Sequence, residues 1–154
     1  MSSDPRILVA VSGASGVEYA RRLLEILGDR ADVVTTKDAQ AVIEIETGLT
    51  MKEFAARARS SYGEDNLAAA PASGSSLFRA VVVVPCSGTT LAKIAAGIAD
   101  NLVTRAAAVA IKESRKLILV PRETPVGAIA LENMLKLARL GVDHSIGVRW
   151  SGPE

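Results

Sequence analysis

Two apolar runs restrict the fold of this chain more than any other feature of its sequence. Residues 80–85 read AVVVVP and Lys116–Pro121 reads KLILVP, so neither run has the alternating polar positions of a strand with one wet face. Strands that are apolar on both faces are typical of parallel sheets covered by helices on each side. Both runs therefore predict strands in the middle of a mainly parallel sheet.

The rest of the sequence alternates between strand and helix patterns. We predict strands at Arg6–Val11 and 31–36, helices at Val17–Leu27, 39–46, 50–59 and 128–140, and a loop at 60–76. Thr50 and Glu53 stand at the spacing of a capping box, which marks a helix start. The alternation predicts a three-layer α/β fold of Rossmann or flavodoxin type and leaves the strand order open. We assign residues 1–141 to a single domain and residues 142–154 to an irregular C-terminal tail.

The charges of the chain nearly cancel, with 18 basic and 17 acidic residues. This balance gives no electrostatic basis for binding nucleic acid or an anionic membrane. No apolar run approaches the roughly 20 residues that a membrane span needs, and the first residues lack the pattern of a secretory leader. We therefore expect a cytoplasmic protein that binds neither nucleic acid nor membrane.

The single cysteine, Cys86, excludes a disulfide within the chain. A nucleophilic role would need a basic partner, and the only histidine, His144, stands far along the sequence. A small buried core residue is the better interpretation of Cys86. The sequence also lacks a cluster of side chains with the spacing of metal ligands, so we expect no bound metal.

Two strand-to-helix turns are rich in small residues. The turn SGASG, at residues 12–16, follows the first strand, and SGTT, at residues 87–90, follows the apolar run at 80–85. Glycine lets a ligand approach the backbone closely, and the unpaired N–H groups at a helix start attract anions. Either turn could equally be tight packing or ordinary helix capping. Their occurrence together after two strands favours a phosphorylated cofactor.

Four charged residues form a second candidate set. Arg122 and Glu123 follow the strand Lys116–Pro121, at the edge where open α/β sheets bind ligands. Arg105 and Lys112 are seven residues apart, so a helix places them on one face, two turns apart. This helical pair could also belong to an ordinary solvated surface.

Several segments resemble, in sequence order, the UbiX-like flavin prenyltransferases. They are SGASG, TKDAQ with a following ET, PASGSS, PCSGTTLAKIAAGIADNL, the spacing of Arg105 and Lys112, KLILVPRETP and LENMLKL. The match covers residues 6–141, and its two longest motifs are specific to that family. Its members join a dimethylallyl group to reduced FMN. They are homo-oligomers, typically dodecamers, with sites built where subunits meet.

The resemblance implies roles for particular residues of this chain. The implied FMN ligands are Gly13, Ala14, Ser15, Thr36, Ser87, Gly88, Thr89, Thr90 and Arg122. The residues implied to hold and expel the phosphate of dimethylallyl phosphate are Arg105, Lys112, Arg122 and Glu123. Ser15 and Glu46 are implied to lie near the isoalloxazine ring and to assist proton transfer, so the implied catalytic set is Ser15, Glu46, Lys112 and Glu123.

These residue types suit the chemistry that the resemblance implies. Prenyl transfer breaks a carbon–oxygen bond to phosphate while flavin N5 captures the carbon fragment. Fixed cations stabilise the leaving phosphate and an acid such as Glu123 can protonate it, so no metal is required. The flavin supplies the nucleophile and a stacking surface, and the protein supplies position and charge.

The sequence therefore predicts a flavin prenyltransferase that makes prenylated FMN for a partner decarboxylase. Two alternatives stay open: a catalytically reduced FMN-binding or carrier protein of the same family, and an FMN-dependent decarboxylase of cysteine-containing substrates. In the family, LENMLKL is followed by a strand and helices that complete the prenyl-phosphate site. That pattern does not continue here after Gly141. We expect a neighbouring subunit, or Arg149 and Trp150 of the tail, to fill this gap.

Overall fold

The computed structural model describes residues 6–145, which form one parallel sheet with helices on both faces. The strands are β1 (Arg6–Val11), β2 (Ala31–Thr35), β3 (Ser60–Gly63), β4 (Phe78–Cys86), β5 (Lys116–Pro121) and β6 (Asp143–His144). Their order is β3-β2-β1-β4-β5-β6, and each neighbouring pair is parallel. The winding direction reverses between β1 and β4, which is the switch point of a Rossmann-type sheet. The predicted fold class is confirmed.

The connections between strands are mainly helical. Those in the described part of the chain are α1 (Val17–Leu27), α2 (Lys37–Thr47), α3 (Met51–Ala55), α4 (Gly88–Ala96), α5 (Leu102–Lys112) and α6 (Ala128–Ala138), with 3-10 turns at Gly28–Arg30 and Ala70–Ala72. The predicted capping box is present, because Glu53 N donates to Thr50 Oγ1 and Thr50 N donates to the Glu53 carboxylate. None of these helices is long and apolar enough to cross a bilayer.

Two separate apolar cores explain why the central strands carry no polar face. In β1, Leu8 and Ala10 pack into the core beneath α4, α5 and α6, whereas Val9 and Val11 pack into the core beneath α1, α2 and α3. All four side chains are fully buried. Burial of each leucine or valine side chain contributes roughly 1.5–3 kcal/mol relative to exposure.

Three segments differ from the sequence prediction. The predicted loop at 60–76 contains β3, a strand of four residues at the sheet edge with alternating partial exposure. So short a strand, built on SSYG, offers no apolar run to recognise. The helix predicted at 50–59 ends at Ala55. β6 pairs with β5 and Val142 is buried, so the sheet extends past residue 141 into the segment predicted as irregular.

The predicted tail residues Arg149 and Trp150 lie outside the described residues, together with the rest of 146–154.

Candidate functional site

Polar residues collect where the central strands end, on both sides of the switch point. Ser12 follows β1, Thr36 follows β2, Ser87 follows β4 and Arg122 follows β5. Because all six strands are parallel, these four positions share one edge of the sheet. This is the edge at which sheets of this type bind ligands.

The N-terminus of α4 is an open helix end at this edge. Ser87 caps the helix, since its Oγ accepts a hydrogen bond of 3.2 Å from Thr90 N and donates one of 2.9 Å to Thr90 Oγ1. The first two N–H groups of the helix, on Gly88 and Thr89, have no acceptor among residues 6–145, and both residues are exposed. Such groups carry the partial positive charge of the helix dipole and bind phosphate readily.

A polar cavity of about 230 Å³ opens in front of this helix end. Its lining residues are Gly13, Thr36, Asp38, Glu64, Ser87, Thr89, Thr90, Lys93 and Asn101. Gly13 has to be glycine here, because a Cβ at that position would lie 2.5 Å from Asp38 Cβ. The turn after β1 therefore packs directly against the first turn of α2 and forms one wall of the cavity.

The N-terminus of α1 is closed by the protein itself. The Glu46 carboxylate, from the last turn of α2, accepts hydrogen bonds from Gly16 N at 3.0 Å and Val17 N at 3.2 Å. Gly16 has φ +107°, a conformation that favours glycine and turns the chain into the helix. The Glu46 carboxylate thus takes the position that an anionic ligand would take at this helix end.

Glu64 binds the first N–H groups of two further helices, α2 and α5. Its carboxylate accepts from Lys37 N at 3.0 Å, at the start of α2, and its carbonyl accepts from Leu102 N at 2.8 Å, at the start of α5. The loop after β3 is therefore tied across the outer side of the polar cavity, and it contributes a negative charge there.

Arg122 lies between two further cavities. One, of about 360 Å³, is lined by Ser15, Gly16, Glu18, Tyr19, Glu46 and Arg122. The other is small, about 40 Å³, and mainly apolar, and its lining residues are Cys86, Gly88, Leu91, Pro121, Arg122, Glu123, Val126, Ala130, Leu131 and Met134. Glu123 approaches α4 closely, because a Cβ on Gly88 would lie 3.6 Å from Glu123 Oε2.

Arg105 and Lys112 lie near opposite ends of α5, and the structure does not bring Lys112 to the edge that carries Arg122. Both are exposed on α5, as the seven-residue spacing predicts. Lys112 ends α5 shortly before β5 begins at Lys116, and it pairs with Glu113 at 3.4 Å. Arg122 lies just past the other end of that six-residue strand, so about 20 Å of strand separates the two positions. Within one chain they cannot hold the same phosphate.

Cys86 is buried, as the sequence predicts, and among residues 6–145 its thiol bonds only the Ser87 carbonyl and no base. Its side chain lies in the core under α4, where burial raises the pKa of the thiol to about 12. The thiol is therefore protonated at neutral pH, which removes it from the candidate nucleophiles. His144, on β6, has its pKa lowered by burial, and neighbouring Asp143 opposes that shift in part.

The sequence prediction missed several residues that build the site. They are Ser12, Asp38, Glu64, Lys93 and Asn101. Ser12 belongs to the SGASG turn, so its position carried a signal. Asn101 stands one residue before α5 and caps it, which is also readable from sequence. Glu64 follows an unrecognised strand, and no local pattern could place it against α2.

Comparison with known proteins identifies the family. A family model described as Flavoprotein matches residues 1–150. The flavin prenyltransferase UbiX of Methanocaldococcus jannaschii is 49% identical over 138 residues, which cover 88% of this chain and 75% of that protein. The chain belongs to the flavoprotein family, in its UbiX-like branch. The resemblance drawn from its motifs is confirmed.

Two solved structures share the fold of this flavoprotein. A dodecameric FMN-dependent UbiX-like decarboxylase from Escherichia coli O157:H7 superposes with a TM-score of 0.91 at 41% identity, covering 97% of this chain and 84% of the other. A UbiX protein in complex with FMN and dimethylallyl pyrophosphate gives a TM-score of 0.88 at 39% identity, covering 91% and 76%.

Proposed function

We propose that this flavoprotein is a flavin prenyltransferase, which joins the dimethylallyl group of dimethylallyl phosphate to reduced FMN. The observation that carries the proposal is the position of Arg122, which lines both the apolar cavity beside Glu123 and the larger cavity beside Ser15 and Glu46. A cation between an apolar recess and a second cavity suits a reaction that separates a prenyl group from its phosphate.

The residues at the sheet edge fit FMN. Gly88 N and Thr89 N are two open donors for the phosphate, Thr89 lines the polar cavity of about 230 Å³, and Gly13 allows close approach of the backbone. Bound FMN would supply the nucleophilic ring nitrogen and a surface for stacking. The remaining FMN ligands that we propose are Ala14, Ser15, Thr36, Ser87, Thr90 and Arg122.

The chain's own groups also fit the leaving phosphate. The Arg122 guanidinium is a cation with a planar set of donors, and it would stabilise the phosphate as it departs. Glu123, exposed next to it, is placed to give a proton to a phosphate oxygen. Leu91, Leu131 and Met134 offer apolar walls for a prenyl chain. Ser15 and Glu46, in the neighbouring cavity, are our candidates for moving protons at the flavin.

A second copy of the chain is needed for the full set of cations. Since the length of β5 separates Lys112 from Arg122, we assign Lys112, together with Arg105 of the same helix, to the phosphate of a neighbouring subunit's site. α6 has exposed apolar side chains, Ile129, Leu131 and Leu135, that such an assembly would bury. The dodecameric UbiX-like neighbour supports the proposal of a homo-oligomer, for which we propose twelve subunits. The prenylated FMN would pass in the cytoplasm to a partner decarboxylase.

Two measurements on the purified protein test this function. The first reconstitutes the protein with FMN, FAD or NAD. We expect a yellow protein that binds FMN more tightly than FAD or NAD. The second incubates the FMN complex anaerobically with a reductant and dimethylallyl phosphate, followed by mass analysis of the released flavin. A gain of one C5H8 unit is expected. FMN binding without that gain would identify a carrier, and absence of FMN binding would overturn the family-based function altogether.

A further inference from the structure

Ser12 bridges the two strand ends at the switch point through its side chain. Its Oγ donates a 2.7 Å hydrogen bond to the carbonyl of Pro85, at the end of β4, and accepts a 2.8 Å bond from Ser87 N. Ser12 N also donates to the Pro85 carbonyl, at 3.3 Å. The residue is 1% exposed, so water does not compete for these partners.

The bridge fixes the residue that caps α4. The N–H of Ser87 donates to Ser12 Oγ. The Ser87 hydroxyl accepts from Thr90 N and donates to Thr90 Oγ1. The backbone and the side chain of Ser87 are thus both held before any ligand arrives. The N–H groups of Gly88 and Thr89 come directly after this anchored residue, so their direction depends on it.

Ser12 does not line the polar cavity and is not needed to start a helix. Its hydroxyl bonds Pro85 O and Ser87 N at the end of β4, and not the first turn of α1, which follows it in sequence. Thr36, at the corresponding place after β2, instead caps its own helix by accepting from Ala39 N. The cross-strand use of the Ser12 hydroxyl therefore calls for an explanation other than local capping.

We propose that Ser12 is a positioning residue for FMN phosphate, acting through Ser87 to aim the N–H groups at the start of α4. The inference rests on the proposed binding of FMN at this edge. Alanine at position 12 would leave Ser87 N without its acceptor in a partly buried place and would free the cap to rotate. Preorganised donors bind an anion better than donors that must first be ordered.

The test compares FMN with riboflavin, which lacks the phosphate but keeps the ring system. Dissociation constants for both are measured on the full chain by flavin fluorescence quenching, for wild type, Ser12→Ala, Ser12→Cys and Ser12→Thr. We expect Ser12→Ala to weaken FMN about tenfold and riboflavin less than about twofold, since one oriented hydrogen-bond system is lost. Ser12→Thr keeps the hydroxyl and should restore the preference.

Two controls keep the result interpretable. Ser76→Ala removes a hydroxyl that donates to Ala70 O in the loop before β4, away from the cavity, and should leave both flavins unchanged. Ser12→Cys fills the site with a weak donor and acceptor, so it gives the same comparison if the alanine variant does not fold.

The possible outcomes distinguish the role of Ser12 from the proposed phosphate site at the start of α4. Equal losses for FMN and riboflavin, or an unchanged FMN preference in Ser12→Ala and Ser12→Cys, would overturn the role of Ser12 while FMN binding stands. A wild-type protein that binds FMN no better than riboflavin would overturn the phosphate site itself, and the role of Ser12 with it.

Discussion

The starts of α1 and α4 resemble each other in sequence and differ in the structure. Each follows a central strand through a turn of small residues that contains glycine and serine. At α1 the Glu46 carboxylate binds the first N–H groups, whereas at α4 the N–H groups of Gly88 and Thr89 have no acceptor among residues 6–145, and Thr89 lines a polar cavity. A glycine-rich turn is therefore not enough to identify an anion site. The decisive residue can come from a distant helix.

The largest effects should appear in chemistry rather than in binding. Glu123→Gln and Lys112→Ala are expected to keep FMN at the α4 site and to lose prenyl transfer by on the order of 10²-fold or more, because both act on the leaving phosphate. Transfer is measured by mass analysis of the flavin, with Lys116→Ala as a control on an exposed lysine paired with Asp143. Loss of FMN in either variant would show that phosphate sites were assigned wrongly.

Ser87→Ala strikes the open helix end directly. It removes the cap of α4 and disorders the donors next to it, so FMN affinity should fall roughly 10- to 100-fold, as for hydrogen bonds to a charged group. Riboflavin affinity should change little. Thr50→Ala, which removes the cap of α3 at a distance, is expected to lower stability by about 1 kcal/mol and to leave both affinities intact.

The sequence predicted the layers of this fold because the central strands are apolar on both faces. It placed β1, β2, β4 and β5 within a few residues, since burial leaves a readable pattern there. It missed β3 and β6, whose pairing at the sheet edges comes from neighbouring strands and not from their own residues. Tertiary pairing of such short strands leaves little trace in sequence.

The residues of the candidate site also fall into two groups, those that a local sequence pattern predicts and those that depend on tertiary contacts. Ser87 was found because the strand-to-helix turn that contains it is a local pattern, whereas Thr36 came from the family resemblance alone. Glu64 was missed, and the bond between Glu46 and α1 was not foreseen, because those contacts join separate parts of the chain. The family resemblance supplied Arg105 and Lys112, but a single chain holds Lys112 far from Arg122, so their use depends on an assembly.

Glu46→Gln tests the closed helix end. The neutral amide removes a negative charge from the start of α1, so stability should fall by about 0.5–1 kcal/mol. The ratio of FMN to riboflavin affinity should stay unchanged, because the phosphate is not bound there. Urea unfolding and flavin titration measure the two quantities, and Glu44→Gln, on an exposed position of the same helix, is the matched control. A large fall in that ratio would place the phosphate at α1 instead.

The smallest predicted effect concerns Asp32, at the opposite edge of the sheet. It is expected in the stability of the fold and not in FMN affinity. Burial raises the pKa of Asp32 above its ordinary value, and the charges of Arg6 and Arg59 oppose this only in part. Folding therefore favours the protonated carboxyl. The stability that Asp32 contributes is greatest below its unfolded-state pKa, about 3.9, and declines as pH rises through the raised value.

The free energy of unfolding of Asp32→Asn, measured in urea, should accordingly rise relative to that of wild type as the pH is raised from about 4 toward 7. The exposed Asp29→Asn should track wild type across the same range. FMN affinity should be the same in both variants. A stability difference that stays constant with pH would mean that Asp32 does not titrate differently in the folded chain.

The most direct test of the central claim is a crystal structure of the protein with FMN bound. We expect phosphate oxygens within about 3 Å of Gly88 N and Thr89 N, with the Glu46 carboxylate still accepting from Gly16 N. A phosphate that displaces Glu46 and binds Gly16 N and Val17 N would contradict it, because the closed and open helix ends would then have exchanged roles.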